Sequence, residues 1–213
     1  MARKTKEEAQ ETRESILDAA ISSFYDNGVS LTSLDQIARQ AGVTRGAVYW
    51  HFKNKLDIFD ALHERLHQSF IDILAPRLGH VEDDPLAQLH RLHTDLMQEV
   101  HQNEIKKRTL SVFLLRCDYS GDMQDFLKKQ EQSKLKAFQI FVDFFRKAQD
   151  QGLLPAQHAP ETVARTCHCF MSGLLYEYLR FTGAIDFAAH VQPSIDFFYS
   201  SLTVFKQSIK GEN

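Results

Sequence analysis

Between Thr44 and Lys55 the chain reads TRGAVYWHFKNK, which packs hydroxyl, guanidinium, phenol, indole, imidazole and ammonium groups into one short stretch. Groups of these types at this density suit a nucleic acid. A guanidinium can bond guanine O6 and N7 together, while hydroxyls and ammonium groups hold phosphates and fix register without specifying sequence. Arg45 is therefore the expected base reader, and Thr44 and Tyr49 the expected phosphate ligands. Gly46 would let the backbone come close to the groove, and Ser33, Trp50, His51 and Lys55 complete the expected DNA-binding set. Trp50 has a second reading, packing against the first helix. A different chemistry is suggested by HERLH at His63–His67, which satisfies the zincin pattern H-E-x-x-H. A zinc hydrolase also needs a third protein ligand and an open position for water. His80, His90, His93 and His101 are uncommitted candidates and no downstream glycine turn completes a longer motif, so catalysis is a remote alternative and no enzyme is expected.

The DNA-reading groups need a scaffold, and SLDQIARQAGVTRGAVYWHFKNK at Ser33–Lys55 supplies a helix-turn-helix pattern. Helical spacing runs from Ser33 to Ala41 and from Thr44 to Phe52. Small Ala38 allows a close crossing, Gly42 can take the left-handed backbone of the turn, Val43 and Val48 lock the pair, and Thr44 can cap the second helix. A preceding helix from about Glu8 to Tyr25 closes the bundle, ended by a left-handed cap at Asn27-Gly28. Its expected core is Ile16, Ala20, Phe24, Leu34, Ile37, Ala38, Val43, Val48, Tyr49 and Phe52. From Asn27 to Leu56 the basic residues are Arg39, Arg45, Lys53 and Lys55 and the one acid is Asp35, a local net charge of +3 against −3 for the whole chain. One basic face on a mildly acidic protein is the electrostatic footprint of phosphate binding. Arg3, Lys4 and Lys6 form a basic arm, either reaching neighbouring phosphates or the minor groove, or remaining a solvated tail.

Apolar residues recur at helical spacing almost throughout, with 9 glycines and 5 prolines in 213 residues, so the expected fold class is all-α with about nine helices. A long helix should run from Lys55 to about Leu78. GHVEDD at Gly79–Asp84 breaks the pattern, and Asp84-Pro85 reads as a cap followed by a first-turn proline. Further helices are expected at Pro85 to about Val100, Glu104–Cys117, Asp122–Gln151, Pro160–Phe181 and Phe187–Lys206. The last two are apolar on more than one face, which requires burial on several faces. Packing against their twofold copies in a homodimer satisfies that need, as would a thick monomeric core. Cys117, Cys167 and Cys169 are odd in number and lack Cys-x-x-Cys spacing, so buried thiols are expected rather than a disulfide frame or zinc ribbon. The charged N-terminal stretch and the lack of long apolar runs predict a cytoplasmic protein without a membrane partner.

The stretch RESILDAAISSFYDNGVSLTSLDQIARQAGVTRGAVYWHFKNK resembles the DNA-binding domain of TetR-type transcriptional repressors. MARKTKEEAQETR and GVTRGAVYWHF are similar to the AcrR and TtgR branch, repressors of multidrug efflux operons. More loosely, RCDYSGDM at Arg116–Met123 resembles the segment linking the sixth and seventh helices of that branch. The resemblance implies a helix-turn-helix domain at residues 1–55, a larger ligand-binding and dimerisation domain at 56–213, a palindromic double-stranded operator, and backbone-gripping roles for Trp50, His51 and Lys55. It also places His67 at a pocket-lining position. Spacing extends that set to Leu66 and Phe70; Leu89, Leu92, His93 and Leu96; Leu110, Phe113 and Leu114; Ala137, Ile140 and Phe141; and Cys167, His168, Met171, Ser172 and Leu175. Either these residues are ordinary core, or they line a pocket for a hydrophobic small-molecule effector; bulky Phe70, Leu110, Phe113, Ile140 and Phe141 would narrow such a pocket. No cofactor is implied. The expected function is a repressor released from its operator by apolar or aromatic molecules, with an effector-insensitive DNA-binding dimer or an activator as alternatives.

Overall fold

Helices account for the regular structure of the computed structural model, which describes residues 5–78, 84–119, 123–181 and 183–209. Among these residues there are nine α-helices and one π-helical turn: α1 Lys6–Asn27, α2 Leu34–Gln40, α3 Arg45–His51, α4 Lys55–Leu78, α5 Pro85–Gln102, α6 Glu104–Leu115, α7 Met123–Asp150, α8 Pro160–Arg180, the π-turn Phe187–Val191, and α9 Gln192–Ile209. Arg3 and Lys4 of the basic arm and the GHVED part of the expected break lie outside the described residues. None of the described helices is long and apolar enough to cross a membrane.

The chain parts into two compact units: residues 1–69 with 103–127, and residues 70–102 with 128–213. In the first, α1 and α2 surround Ile16, Ala20, Phe24, Ile37 and Ala38, joined by Val48 of α3 and by Ile58, Phe59 and Leu62 of α4, all closed to solvent. Removing this apolar area from water is the main force holding such short helices, which would not persist alone at seven residues. Phe59 meets Phe113 at 4.5 Å and Phe126 at 4.9 Å between ring centroids, both edge to face, tying α4 to α6 and the start of α7. Leu34 and Val43 are partly buried as expected members of this core, but Tyr49 is not part of it: its ring is 46% exposed. At its place in α3, the turn buries Val48 and turns the next residue outward.

Two backbone details differ from the sequence expectation. Gly28 has φ 81° but ψ 156°, which is the mirror-extended region rather than the left-handed helical one, and glycine alone adopts it readily. The final helix does not begin at Phe187. The amide of Gln192 donates to Phe187 O, a five-residue step that makes the π-turn, and α9 starts only there. Pro193, without an N–H, is tolerated in that first turn.

In the second unit, Leu89, Leu92 and Met97 of α5 are buried, as are Val142 and Phe145 of α7, Ala164 and Cys167 of α8, and Ile195 and Tyr199 of α9. α5 packs directly on α9.

Candidate nucleic-acid interface

Local hydrogen bonding explains why a seven-residue helix can start and stop where α2 does. Ser33 Oγ accepts from the Gln36 amide at 3.2 Å, and Gln36 Oε1 accepts from the Ser33 amide at 2.7 Å, a reciprocal capping box. At the other end, the Val43 amide donates to Ala38 O at 3.0 Å and the Gly42 amide to Arg39 O at 3.2 Å, with Gly42 at φ +66°. That pair of bonds is a Schellman closure, and it needs the positive φ. Thr44 Oγ1 then accepts from the Ala47 amide at 3.2 Å and opens α3 immediately after the turn. A chain of caps therefore fixes the angle between α2 and α3.

The outer edge of α3 carries the groups that can meet DNA. Thr44, Arg45, Gly46, Tyr49 and Trp50 are exposed, His51 partly so. Trp50 is 73% exposed and stands edge to face on His51 at 4.5 Å, so its indole lies outside the core. A Cβ on Gly46 would meet only Thr44 Oγ1, at an ordinary 3.9 Å, so no packing within the protein demands glycine there. Close approach of a partner backbone is what a bare position provides.

Arg45 is held from two sides. Its Nε lies 3.1 Å from Asp35 Oδ1, its Nη1 donates to Asp35 Oδ2 at 3.4 Å, and its Nη2 donates to the Tyr49 hydroxyl at 3.3 Å. The bond to Tyr49, then the Asp35 charge, push its basicity further up, so it stays a cation. Lys55, at the start of α4, donates to Val29 O and Ser30 O, each at 2.9 Å. Two of its three donors are thus engaged by the α1–α2 loop, leaving one for an external acceptor. A groove of 1080 Å³ has Ser33, Arg45, Tyr49 and Lys55 in its wall together with Asp35 and exposed Leu31. Four of the eight expected DNA-contact residues therefore share one concavity. Asp35 and Leu31 escaped the sequence reading: a single acid in a basic segment enters the charge count but carries no sign that it touches Arg45.

The expected effector residues divide between the units. Leu66, His67, Leu110, Phe113 and Leu114 belong to the first; Phe70 and all the others belong to the second. In the first unit Leu110 and Phe113 are buried, Leu66 is half-buried, and His67 and Leu114 are exposed. Leu66 borders a smaller groove with Asp18, Arg65 and Ile105. Of the HERLH histidines, His63 packs edge to face on Phe113 at 5.6 Å and on Phe126 at 5.2 Å.

Within the second unit, Leu89, Leu92, His93 and Cys167 are buried, while Phe70, Leu96, Ala137, Ile140, Phe141, Met171 and Leu175 are half-buried and His168 and Ser172 are exposed. Tyr199 gathers three of them. Its hydroxyl lies 2.6 Å from His93 Nδ1 and 3.7 Å from Cys167 Sγ, and the His93 ring stacks on Phe141 at 5.5 Å. Burial lowers the His93 pKa to about 4, helped by the charges of His90 and His168, and raises that of the Cys167 thiol to about 11. This polar centre is consequently uncharged at neutral pH. Tyr199 lies within the expected last helix, where helical spacing shows a ring and not the hydroxyl's partner.

Capped α2, the glycine turn and the exposed, basic and aromatic edge of α3 define a helix-turn-helix DNA-binding regulator. The chain belongs to the tetR family of bacterial regulatory proteins: residues 16–62 match that family's N-terminal domain, and residues 84–204 match the C-terminal region of the MAATS-type transcriptional repressors. It is 32% identical over 196 residues to the HTH-type transcriptional regulator TtgR of Pseudomonas putida, covering 92% of this chain and 93% of that one. Among solved structures, it is similar to NalD, the secondary repressor of the MexAB-OprM multidrug efflux pump in Pseudomonas aeruginosa, with a TM-score of 0.74, 30% identity, and coverage of 93% and 98% of the two chains. The complex of SmeT with triclosan matches with a TM-score of 0.77, 31% identity, and coverage of 90% and 91%.

Proposed function

We propose that this protein is a cytoplasmic, homodimeric repressor of a multidrug efflux operon, released from a palindromic operator by apolar or aromatic small molecules. The observation that carries the reading is the solvent-facing group of Arg45, Tyr49 and Trp50 on a helix whose orientation is fixed by caps at both ends of the turn. Arg45 reads a base; Ser33, Thr44, Tyr49, Trp50, His51 and Lys55 hold backbone phosphates, and Gly46 admits close approach. Two copies are needed because one helix-turn-helix spans only a few base pairs, whereas a twofold pair reads successive major grooves. Phe197 on α9, 74% exposed, and the stack of Phe170 on Phe198 at 4.6 Å support α8 and α9 as the pairing surface.

The similarity to NalD, an efflux-pump repressor, and to SmeT in its complex with triclosan supports the operon class and the effector chemistry. Residues 1–55 act as the DNA-binding domain and residues 56–213 as the ligand-binding and dimerisation domain. The effector contacts residues identified by spacing within the second unit, from Phe70 and His93 to Met171, Ser172 and Leu175. α4 carries the response, since it starts beside the recognition helix at Lys55 and extends into the second unit at Phe70. An effector releases DNA only through different affinities for the two states, and about 1–3 kcal/mol of coupling suffices. In a gel shift on duplexes selected by the purified protein, triclosan and other apolar aromatics should weaken binding roughly 5–150-fold. Unchanged binding across such a panel would leave an effector-insensitive DNA-binding dimer.

A further inference from the structure

We propose that Asp35 is a specificity-determining positioning residue: by pairing with Arg45 in the free protein, it makes Arg45 a reader of base edges rather than a general phosphate binder. The inference rests on the reading of Arg45 as the base-contacting residue. Asp35 stands in the first turn of α2 and Arg45 at the first position of α3, so their contact spans the turn of the motif. The arrangement is three-sided. Asp35 takes Nη1, the Tyr49 hydroxyl takes Nη2, and the Tyr49 ring lies under the guanidinium carbon at 5.3 Å.

Arginine has five N–H donors in a fixed plane; with Nε and Nη1 against the Asp35 carboxylate and Nη2 on the Tyr49 hydroxyl, two remain for DNA. The plane is held while donors remain, which reduces the rotamer freedom lost when a base is bound. Specificity follows from what the pairing costs on each kind of DNA. An unrestrained arginine swings to any phosphate and strengthens binding to every sequence alike. Arg45 instead must weaken or leave its contact with Asp35 to reach a phosphate, and one phosphate contact replaces one carboxylate contact at little gain. A guanine offers two acceptors to the free donors and can be bound with the carboxylate still in place.

Two duplexes test this: one selected by the purified protein from a randomised pool, and a scrambled version of the same composition. Asp35→Asn retains the size and one acceptor while removing the charge. It should tighten scrambled DNA by about 5–10-fold and change the selected duplex by less than about 2-fold, so that discrimination falls. Loss of charge acting only through the general field would tighten both duplexes equally, and that result would overturn the proposal. A structural role for Asp35 in α2 would lower the melting temperature and weaken both duplexes, which also overturns it. In an Arg45→Ala background, Asp35→Asn should leave the discrimination ratio unchanged, because the residue through which it acts is gone. The dependence on the underlying reading is separable. If Arg45→Ala alone leaves discrimination intact, the base-reading role of Arg45 fails; if Arg45→Ala abolishes discrimination while Asp35→Asn does not move it, only the role of Asp35 fails.

Discussion

Arginine and tyrosine at the edge of α3, and histidine and tyrosine between α5 and α9, form hydrogen-bonded pairs of opposite character. Arg45 and Tyr49 meet at 3.3 Å in solvent; His93 and Tyr199 meet at 2.6 Å out of it. At the exposed edge, each partner can exchange its contact for water or a phosphate at little cost, which is what a binding surface requires. In the buried centre, a lost contact leaves a polar atom with nothing to replace it, so the same chemistry becomes part of the core. Partner exchange, and not residue type, separates a recognition surface from a structural network here.

The contrast is broken most forcefully at Tyr199. Replacing it with alanine empties a buried ring site and strands His93 Nδ1, and should cost roughly 3–5 kcal/mol in urea unfolding. Tyr199→Phe, which removes the hydroxyl alone, should cost about 1–3 kcal/mol. A loss below about 0.5 kcal/mol for the alanine variant would mean that the centre is as exchangeable as the α3 edge.

Acid provides the next largest effect, and its direction follows from which state takes the proton. The folded chain holds His93 neutral down to about pH 4, whereas an unfolded imidazole protonates near 6.5. The unfolded state therefore binds the proton first. Stability from this residue is complete above about pH 6.5 and declines by about 3 kcal/mol as the pH falls towards 4. Denaturation midpoints taken at intervals from pH 7 to 4 should show that slope, and His93→Gln should flatten it.

The smallest effect lies on the recognition side. Thr44→Ala removes the acceptor for the Ala47 amide and should lower stability by about 1 kcal/mol in thermal unfolding. Because α3 is short and packs chiefly through Val48, fraying of its first turn should also weaken binding to selected DNA more than this stability loss alone predicts.

Legibility from sequence divides along the same line. The motif was readable because each of its devices is local: Ser33 and Thr44 cap the helices that follow them, and Gly42 serves the turn in which it stands. Helix limits in this region consequently agree within a residue. Residues that act through distant partners were not readable. Asp35 and Arg45 are ten positions apart, and His93 and Tyr199 are separated by 106. Tyr49 shows the other limit, since its spacing fits both the core and the exposed face, and the geometry of α3 had to decide between them. In the second unit, an apolar stripe encodes burial whether it encloses a ligand or another side chain, so Leu89 and Leu92 look alike under either reading.

The loop between α1 and α2 has one further consequence. Its Val29 amide donates to Arg116 O beyond the end of α6 at 3.3 Å, while the carbonyls of Val29 and Ser30 are held by Lys55 at the head of α4. Three residues after Ser30 stands Ser33, the cap of α2. The loop is thus a clamped strap, held by the end of α6, by the head of α4 and, through the Thr32 hydroxyl on Ser23 O, by α1, so a small turn of α4 or α6 should be felt at the α2 cap. Amide-hydrogen protection at Gln36 would then register events elsewhere in this unit, making one exposed amide-to-hydroxyl bond a reporter of motion that the apolar core conceals.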